Sequence, residues 1–206
     1  MSLSDASSAE VFVVDDDEAV RDSLALLIRS VGLTVTTFSS ATEFVEAYVP
    51  SERACLILDV RLPGMSGLEL QQKLSEQGAD LPIVFITGHG DVPMAVRAMR
   101  RGAVDFLQKP FSDQDLLDRV QQALAEQSAR RQERESKATL ARRVESLTPR
   151  EQEVMQLVVE GHANKVIASR LGMSQRTVEV HRAHIMRKME ADSLAQLVRI
   201  VLEADA

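Results

Sequence analysis

Two folded regions of different class are predicted for this 206-residue chain: an α/β region with a doubly wound five-stranded parallel sheet, then a linker helix and an all-α, four-helix region. Three observations carry that prediction. Short apolar runs alternate with helical patterns up to about residue 110, with spacing that suits βα units. Large apolar residues then disappear between Leu124 and Leu140. Beyond Leu147 the pattern is helical only, punctuated by Gly161 and Gly172.

The apolar runs are Val11–Val14, Leu33–Phe38, Cys55–Leu58, Ile83–Ile86 and Val104–Leu107. Most are near-continuous rather than alternating, as strands covered on both faces require. Between them RDSLALLIRSVG, ATEFVEAYV, GLELQQKLSEQG and PMAVRAMRRG carry helical periodicity, and glycine closes three of the four. From Asp113 a helical pattern continues through LLDRVQQAL into AEQSARRQERESKAT, which lacks the apolar a and d positions of a coiled coil. The expected domain plan is a disordered stretch over 1–9, an α/β domain over 10–125, a solvated linker helix over 126–146 and a helical domain over 147–206. In the last, LTPRE reads as a capping box, with Thr148 as N-cap, Pro149 first in the helix and Glu151 closing the box. Four helices are expected near 149–160, 164–171, 175–189 and 193–203, the third capped by Ser174.

Composition narrows the function classes. The polar, acidic opening MSLSDASSAE does not read as a signal peptide, and no apolar run approaches the ~20 residues that span a bilayer. The single Cys55, in the apolar run CLIL, rules out an internal disulfide and suits a small buried hydrophobe in a reducing cytoplasm. Residues 1–127 hold 10 Lys/Arg against 20 Asp/Glu, whereas residues 147–206 are balanced at 8 and 8. Within 162–188 six basic residues face one acid, Glu179, and three of the four histidines lie there. Such a stripe can meet phosphate. With no Trp and one Tyr, the chain lacks the stacking platforms of single-stranded nucleic-acid binders.

The chemistry is concentrated where strands end. In VVDDDEAV (13–20), Asp15, Asp16 and Asp17 follow the first strand, and like charges ~4 Å apart repel by ~4 kcal/mol at an effective dielectric near 20. Asp17 is assigned to capping the next helix. Asp59 follows the third strand in LILDVRLPGMSG, Thr87 the fourth in FITGHGD, and Lys109 and Pro110 the fifth in FLQKPF. Ligands of open α/β sheets bind at this carboxyl edge. Three carboxylates, a hydroxyl and an ammonium converging there favour a Mg²⁺ site at Asp15, Asp16 and Asp59, with Lys109 offsetting the remaining charge.

These residues resemble those of a response-regulator receiver domain, whose fold is flavodoxin-like, and the likeness spans residues 10–125. The resemblance implies that Asp59 accepts a phosphoryl group from a phosphohistidine on a sensor histidine kinase. It also implies that Asp16 and Asp59 ligate Mg²⁺, with Arg61 supplying a carbonyl and Asp15 acting through water. Thr87 and Lys109 would hold phosphoryl oxygens, Phe106 would be the aromatic switch residue, and the Lys109–Pro110 bond would be cis. The face formed by 92–101, 104–107 and 113–124 would pair two copies into a homodimer.

In SQRTVEVHRAHIMRKM, Val178, His181, Ile185 and Met189 share one helix face, and Arg176, Glu179, Val180, Ala183 and Arg187 the opposite one, flanked by Arg182 and His184. Such a helix can enter a major groove. LTPRE, the G-x-x-NK-x-IA stretch and TVEVH resemble the LuxR-type helix-turn-helix module, with 164–171 as positioning helix and 175–189 as recognition helix. That adds Lys165, Thr177 and Lys188 to the expected DNA contacts. Where many members carry lysine, this chain has Glu179, which can accept from a cytosine amino group. TGHGDVPMAVRAMRRGAVDF (87–106), with the rest of the sequence, resembles the FixJ subfamily, with its styrene-, toluene- and nitrogen-fixation-linked regulators. These resemblances imply a cytoplasmic, phosphorylation-activated transcription factor that binds a double-stranded DNA operator, with RNA polymerase as a further partner and no membrane. A rival in which the helical region belongs to a phosphorelay and binds protein remains open at this stage. A haloacid-dehalogenase phosphatase does not, because it needs an acid two residues after its nucleophile, where Arg61 stands.

Overall fold

The computed structural model describes residues 9–51, 53–88 and 92–204. They divide into two compact units, 1–131 and 132–206. The first contains β1 (Glu10–Val14), α1 (Glu18–Ser30), β2 (Thr34–Phe38), α2 (Ala41–Ala47), β3 (Ala54–Asp59), α3 (Gly67–Glu76), β4 (Ile83–Thr87), α4 (Val92–Arg100), β5 (Asp105–Gln108) and the start of α5 (Asp113–Glu145). The strands form one parallel sheet in the order β2-β1-β3-β4-β5. The order reverses between β1 and β3, where Val14 pairs with Leu58, so the two acidic strand ends lie side by side.

Alternate residues of each strand feed opposite faces, which is why the strands read as continuous apolar runs. Phe12, Val14, Leu56, Leu58 and Phe85 pack with Phe44, Leu70, Leu74 and Ala98 of α2, α3 and α4. Val11, Val13, Cys55, Ile57, Val84 and Ile86 pack with Leu24, Ile28, Leu116 and Val120 of α1 and α5. Cys55 is fully buried and burial pushes its thiol up to about 12, so it behaves as a core residue.

The expected disorder over 1–9 falls on residues outside the described ones, except at Ala9. That residue is buried, and its carbonyl accepts from the Thr34 N–H at 3.1 Å. The expected linker also changes. Buried Gln127 accepts from the Ala54 N–H at 2.5 Å and donates to the Asp80 carbonyl at 2.9 Å, so α5 still belongs to the first unit there. Leu140 and Val144, near its other end, pack into the core of the second unit.

That second unit adds α6 (Pro149–Val159), α7 (Asn164–Leu171), α8 (Gln175–Lys188) and α9 (Leu194–Ala204). Thr148 and Glu151 form the capping box of α6, and Gly172 ends α7 at φ 63°, a left-handed conformation that glycine adopts without a Cβ penalty. Ser174 caps α8 by accepting from the Thr177 N–H. Val154, Val158, Ile167, Val178, Ile185, Met189 and Leu197 form the core.

Candidate phosphoacceptor site and nucleic-acid interface

The parallel register delivers the acidic residues to one edge. Asp15 follows β1 directly, and Asp59 is the last residue of β3. Asp15 and Asp59 are buried and Asp16 is exposed, yet a carboxylate oxygen from each lies within 4.8 Å of the others. Octahedral Mg²⁺ at ~2.1 Å from its ligands separates opposite oxygens by ~4.2 Å, so this donor set fits a small hard cation with slight closure. Asp17 is not part of the cluster: its Oδ1 accepts from Ala19 N at 2.9 Å and Val20 N at 3.3 Å, capping α1 as expected.

Lys109, directly after β5, donates from Nζ to Asp15 Oδ2 at 2.6 Å and to Asp59 Oδ2 at 3.0 Å. Their other oxygens accept from the backbone, Asp15 Oδ1 from Asp17 N at 3.0 Å and Asp59 Oδ1 from Arg61 N at 2.9 Å. Burial drives the Asp15 carboxyl above the usual carboxylate range, and the Lys109 ammonium and the Asp17 N–H offset this only in part. For Lys109 burial alone would lower the pKa, but bonds and charge from Asp15 and Asp59 raise it, so the ammonium stays charged. The Asp15 shift thus comes first from burial, whereas that of Lys109 comes from two carboxylates sharing a single ammonium. A divalent cation relieves that excess.

Thr87 is buried at the end of β4, and its carbonyl accepts from the Lys109 N–H at 2.8 Å. The Lys109–Pro110 bond is cis. Half-buried Phe106 lies on the core beside Phe85, ring centroids 6.2 Å apart. Arg61 is exposed. Two supports escape a sequence reading. Arg21, on α1, donates from Nη1 to the Asp15 carbonyl at 2.8 Å. Gly67, first in α3, leaves no room for a Cβ beside the Asp59 carbonyl.

In the second unit α8 presents Arg176, Thr177, Glu179, Val180, Ala183 and Arg187 to solvent, with Arg182 and His184 half-exposed; Lys165 is exposed on α7. Val178, Ile185 and Met189 are buried, as the periodicity predicts. His181, expected inward, is half-buried, with Nδ1 enclosed and without a hydrogen-bond partner among the described residues. Thr177 Oγ1 lies 2.8 Å from Ser174 Oγ, inside the helix cap.

Lys188 departs from expectation. Its Nζ donates to Glu151 Oε2 at 2.7 Å and to the Ser146 carbonyl at 2.9 Å, so two of its three N–H donors are engaged within the domain. The reason is Glu151, whose carboxylate the capping box draws into a buried position needing a counter-charge. His184 Nδ1 stands 3.5 Å from the other oxygen of Glu151. Thirty-seven residues separate Glu151 from Lys188, and nothing in either local pattern announces the pair.

A 2-1-3-4-5 parallel sheet with an acidic cluster and a lysine at its carboxyl edge, followed by a helix-turn-helix, defines a response regulator with a DNA-binding output domain. Residues 11–121 match the family "Response regulator receiver domain", and residues 145–201 match "Bacterial regulatory proteins, luxR family". Nodulation protein W of Bradyrhizobium diazoefficiens is 51% identical over 195 residues, 95% of this chain and 86% of that protein. Transcriptional regulatory protein FixJ of Azorhizobium caulinodans is 48% identical over 197 residues, 96% and 93% respectively. The solved structure of the response regulator StyR superposes with a TM-score of 0.89 at 50% identity, covering 95% of this chain and 99% of that one. The chain belongs to the response regulators of FixJ type, a receiver domain joined to a luxR-family DNA-binding domain.

Proposed function

We propose that Asp59 takes a phosphoryl group from a sensor kinase phosphohistidine and that this promotes dimerisation and operator binding. The observation that carries the proposal is the meeting of Asp15, Asp16, Asp59 and Lys109 at one sheet edge. A carboxylate oxygen of Asp59 attacks phosphorus as the P–N bond breaks and the imidazole leaves. Asp15, Asp16, Asp59 and the Arg61 carbonyl would hold Mg²⁺, which when bound neutralises charge on the phosphoryl oxygens. Lys109 faces a phosphoryl oxygen, and the Thr87 hydroxyl takes another. The added group brings roughly −1.5 to −2 charge and three acceptor oxygens, enough to draw Thr87 inward and to let Phe106 follow it. The 92–124 face then pairs with a second copy, and RNA polymerase is a downstream partner of the bound dimer.

For the output domain, α8 would lie in the major groove with Arg176, Glu179, Val180 and Ala183 toward base edges, and with Lys165, Arg182, His184 and Arg187 toward phosphates. Thr177 stands beside Arg176 with its hydroxyl on the cap. Lys188 is left out of this set because it is held by Glu151. The deciding experiment measures sedimentation and operator affinity of the full chain with and without acetyl phosphate and Mg²⁺, for wild type and Asp59→Asn. Wild type should dimerise and bind more tightly when treated, and the variant should do neither. Treated wild type that gains affinity while remaining monomeric on a single half-site would overturn the dimer mechanism.

A further inference from the structure

We propose that Arg21 is a positioning residue for the Mg²⁺ site: it holds the main chain on both sides of Asp16 and so aims that carboxylate at the metal. The proposal rests on the reading of Asp15, Asp16 and Asp59 as metal ligands.

Arg21 is half-buried, one turn into α1. Its guanidinium Nη1 donates to the Asp15 carbonyl at 2.8 Å, and its backbone N–H donates to the Asp17 carbonyl at 3.0 Å. The Asp15 carbonyl and the Asp16 N–H belong to one planar peptide, so fixing the carbonyl fixes the plane from which Asp16 departs. The far side is fixed again by the helix cap, where the Asp17 carboxylate accepts from Ala19 N at 2.9 Å. Asp16 is thus bracketed by two bonds from a single residue of α1.

Asp16 needs that restraint more than its neighbours. Lys109 and backbone N–H groups hold the buried Asp15 and Asp59 carboxylates, whereas Asp16 is exposed. An exposed side chain keeps its rotamer freedom, so the backbone beneath it sets how often its oxygen lies near the others. The acceptor also matters. Lys109 occupies Oδ2 of both Asp15 and Asp59, whereas the Arg21 bond goes to a carbonyl and uses no oxygen of the cluster. A fixed anion on α2 steadies the guanidinium: Glu43 Oε2 accepts from Ser39 N and Ser39 Oγ, both at 2.8 Å. Those two bonds, and more weakly the Arg21 charge, hold the Glu43 carboxyl below its usual range.

Charge and position make opposite predictions. A cation beside the cluster repels Mg²⁺, so removing the charge alone should tighten metal binding. Losing the carbonyl bond should loosen it, because residues that orient metal ligands are typically worth roughly 10–100-fold in affinity.

The test is a calorimetric Mg²⁺ titration of the full chain for wild type, Arg21→Met, Arg21→Gln and Arg21→Lys. Methionine keeps an apolar stem without a donor, glutamine ends short of the carbonyl, and lysine keeps both charge and donor. Arg21→Met and Arg21→Gln should each bind Mg²⁺ about tenfold more weakly, and Arg21→Lys should stay within about threefold of wild type. At saturating Mg²⁺ the initial rate of labelling by acetyl phosphate should return to the wild-type value in all three, with only the half-saturating concentration raised. Without metal, the Asp16 and Asp17 amide resonances should shift in Arg21→Met while those of β3 and β4 stay in place. Unchanged or tighter Mg²⁺ binding in Arg21→Met and Arg21→Gln would make Arg21 a bystander charge and overturn the proposal. A labelling rate that stays low at saturating Mg²⁺ would also overturn it, by moving the role of Arg21 to phosphoryl transfer. Wild type that takes up no Mg²⁺ would sink the metal site itself, and the proposal with it.

Discussion

Gly67 lies so close to Asp59 that a Cβ built on it would stand 2.2 Å from the Asp59 carbonyl oxygen. The start of α3 is thereby pressed onto the end of β3, and the Gly67 N–H donates to the Val60 carbonyl at 3.0 Å. The obstacle is backbone, so it cannot swing aside as a flexible side chain would. Gly67→Ala should cost about 1–3 kcal/mol through overpacking and displace the Asp59 carboxylate from Lys109. Chemical denaturation checks the first effect, and the initial rate of labelling by acetyl phosphate the second. A variant with wild-type stability and wild-type labelling would refute the close approach.

Asp59→Asn should abolish acid-stable, base-labile labelling by acetyl phosphate while leaving the fold intact, because the amide lacks the anionic oxygen that attacks phosphorus. Asp16→Ala should lower Mg²⁺ affinity, read by calorimetry, since it removes one of the three clustered oxygens. In the absence of metal it should be at least as heat-stable as wild type, because a repulsive charge is gone.

Lys188 and Lys165 are expected to part company. Lys165→Ala, on exposed α7, should weaken DNA binding about equally on all sequences and reduce the salt slope by about one. Lys188→Ala should instead destabilise the helical domain by about 2 kcal/mol, since it leaves Glu151 buried and unpaired. Glu151→Gln with Lys188→Met should recover most of that loss. Arg176→Ala should cost about 1–3 kcal/mol and relax sequence preference. Thermal melts beside affinities on operator and mixed-sequence duplex separate the three behaviours.

Glu151 also sets an acid limit for the helical domain. Burial alone would raise its carboxyl, but the Lys188 bond, the Thr148 N–H and hydroxyl, and the Lys188 charge outweigh burial and hold it at about 2. An unfolded glutamate titrates near about 4.3. The folded pKa is the lower one, so the stabilisation is complete above the unfolded value and fades as pH falls toward about 2. The protection factors of α6 and α8 amides, observed exchange divided into the intrinsic rate at each pH, should therefore fall across that window. In Glu151→Gln this step should vanish, and its persistence would assign the acid sensitivity to other groups.

Gln127→Ala should cost about 1–3 kcal/mol, because the Ala54 N–H and the Asp80 carbonyl lose their side-chain partner. Urea unfolding of the full chain, followed at Tyr48 in the first unit, reads this directly. Gln132→Ala, beyond the first unit, should leave that transition unchanged.

Much of this protein is settled by local pattern. Continuous apolar runs such as Cys55–Leu58 mark strands buried on both faces, and strand ends in a parallel sheet share one edge, so Asp15, Asp59, Thr87 and Lys109 could be gathered before any coordinates. Helix caps are equally local: Asp17, Thr148 and Ser174 act within three residues of themselves. The outward face of α8 follows from a 100° turn per residue, which needs no tertiary information. What the sequence could not decide is which charged groups are spent on each other. Lys188 and Lys165 are both lysines in a basic stretch, and only packing shows that the Lys188 ammonium neutralises a glutamate 37 residues away. The end of the receiver's share of α5 is hidden for the same reason, since Gln127 looks like linker until it meets Ala54, 73 residues earlier. Periodicity reports the faces of single elements, whereas desolvation and close approach act between elements. Their outcome depends on distances that exist only once the chain has folded.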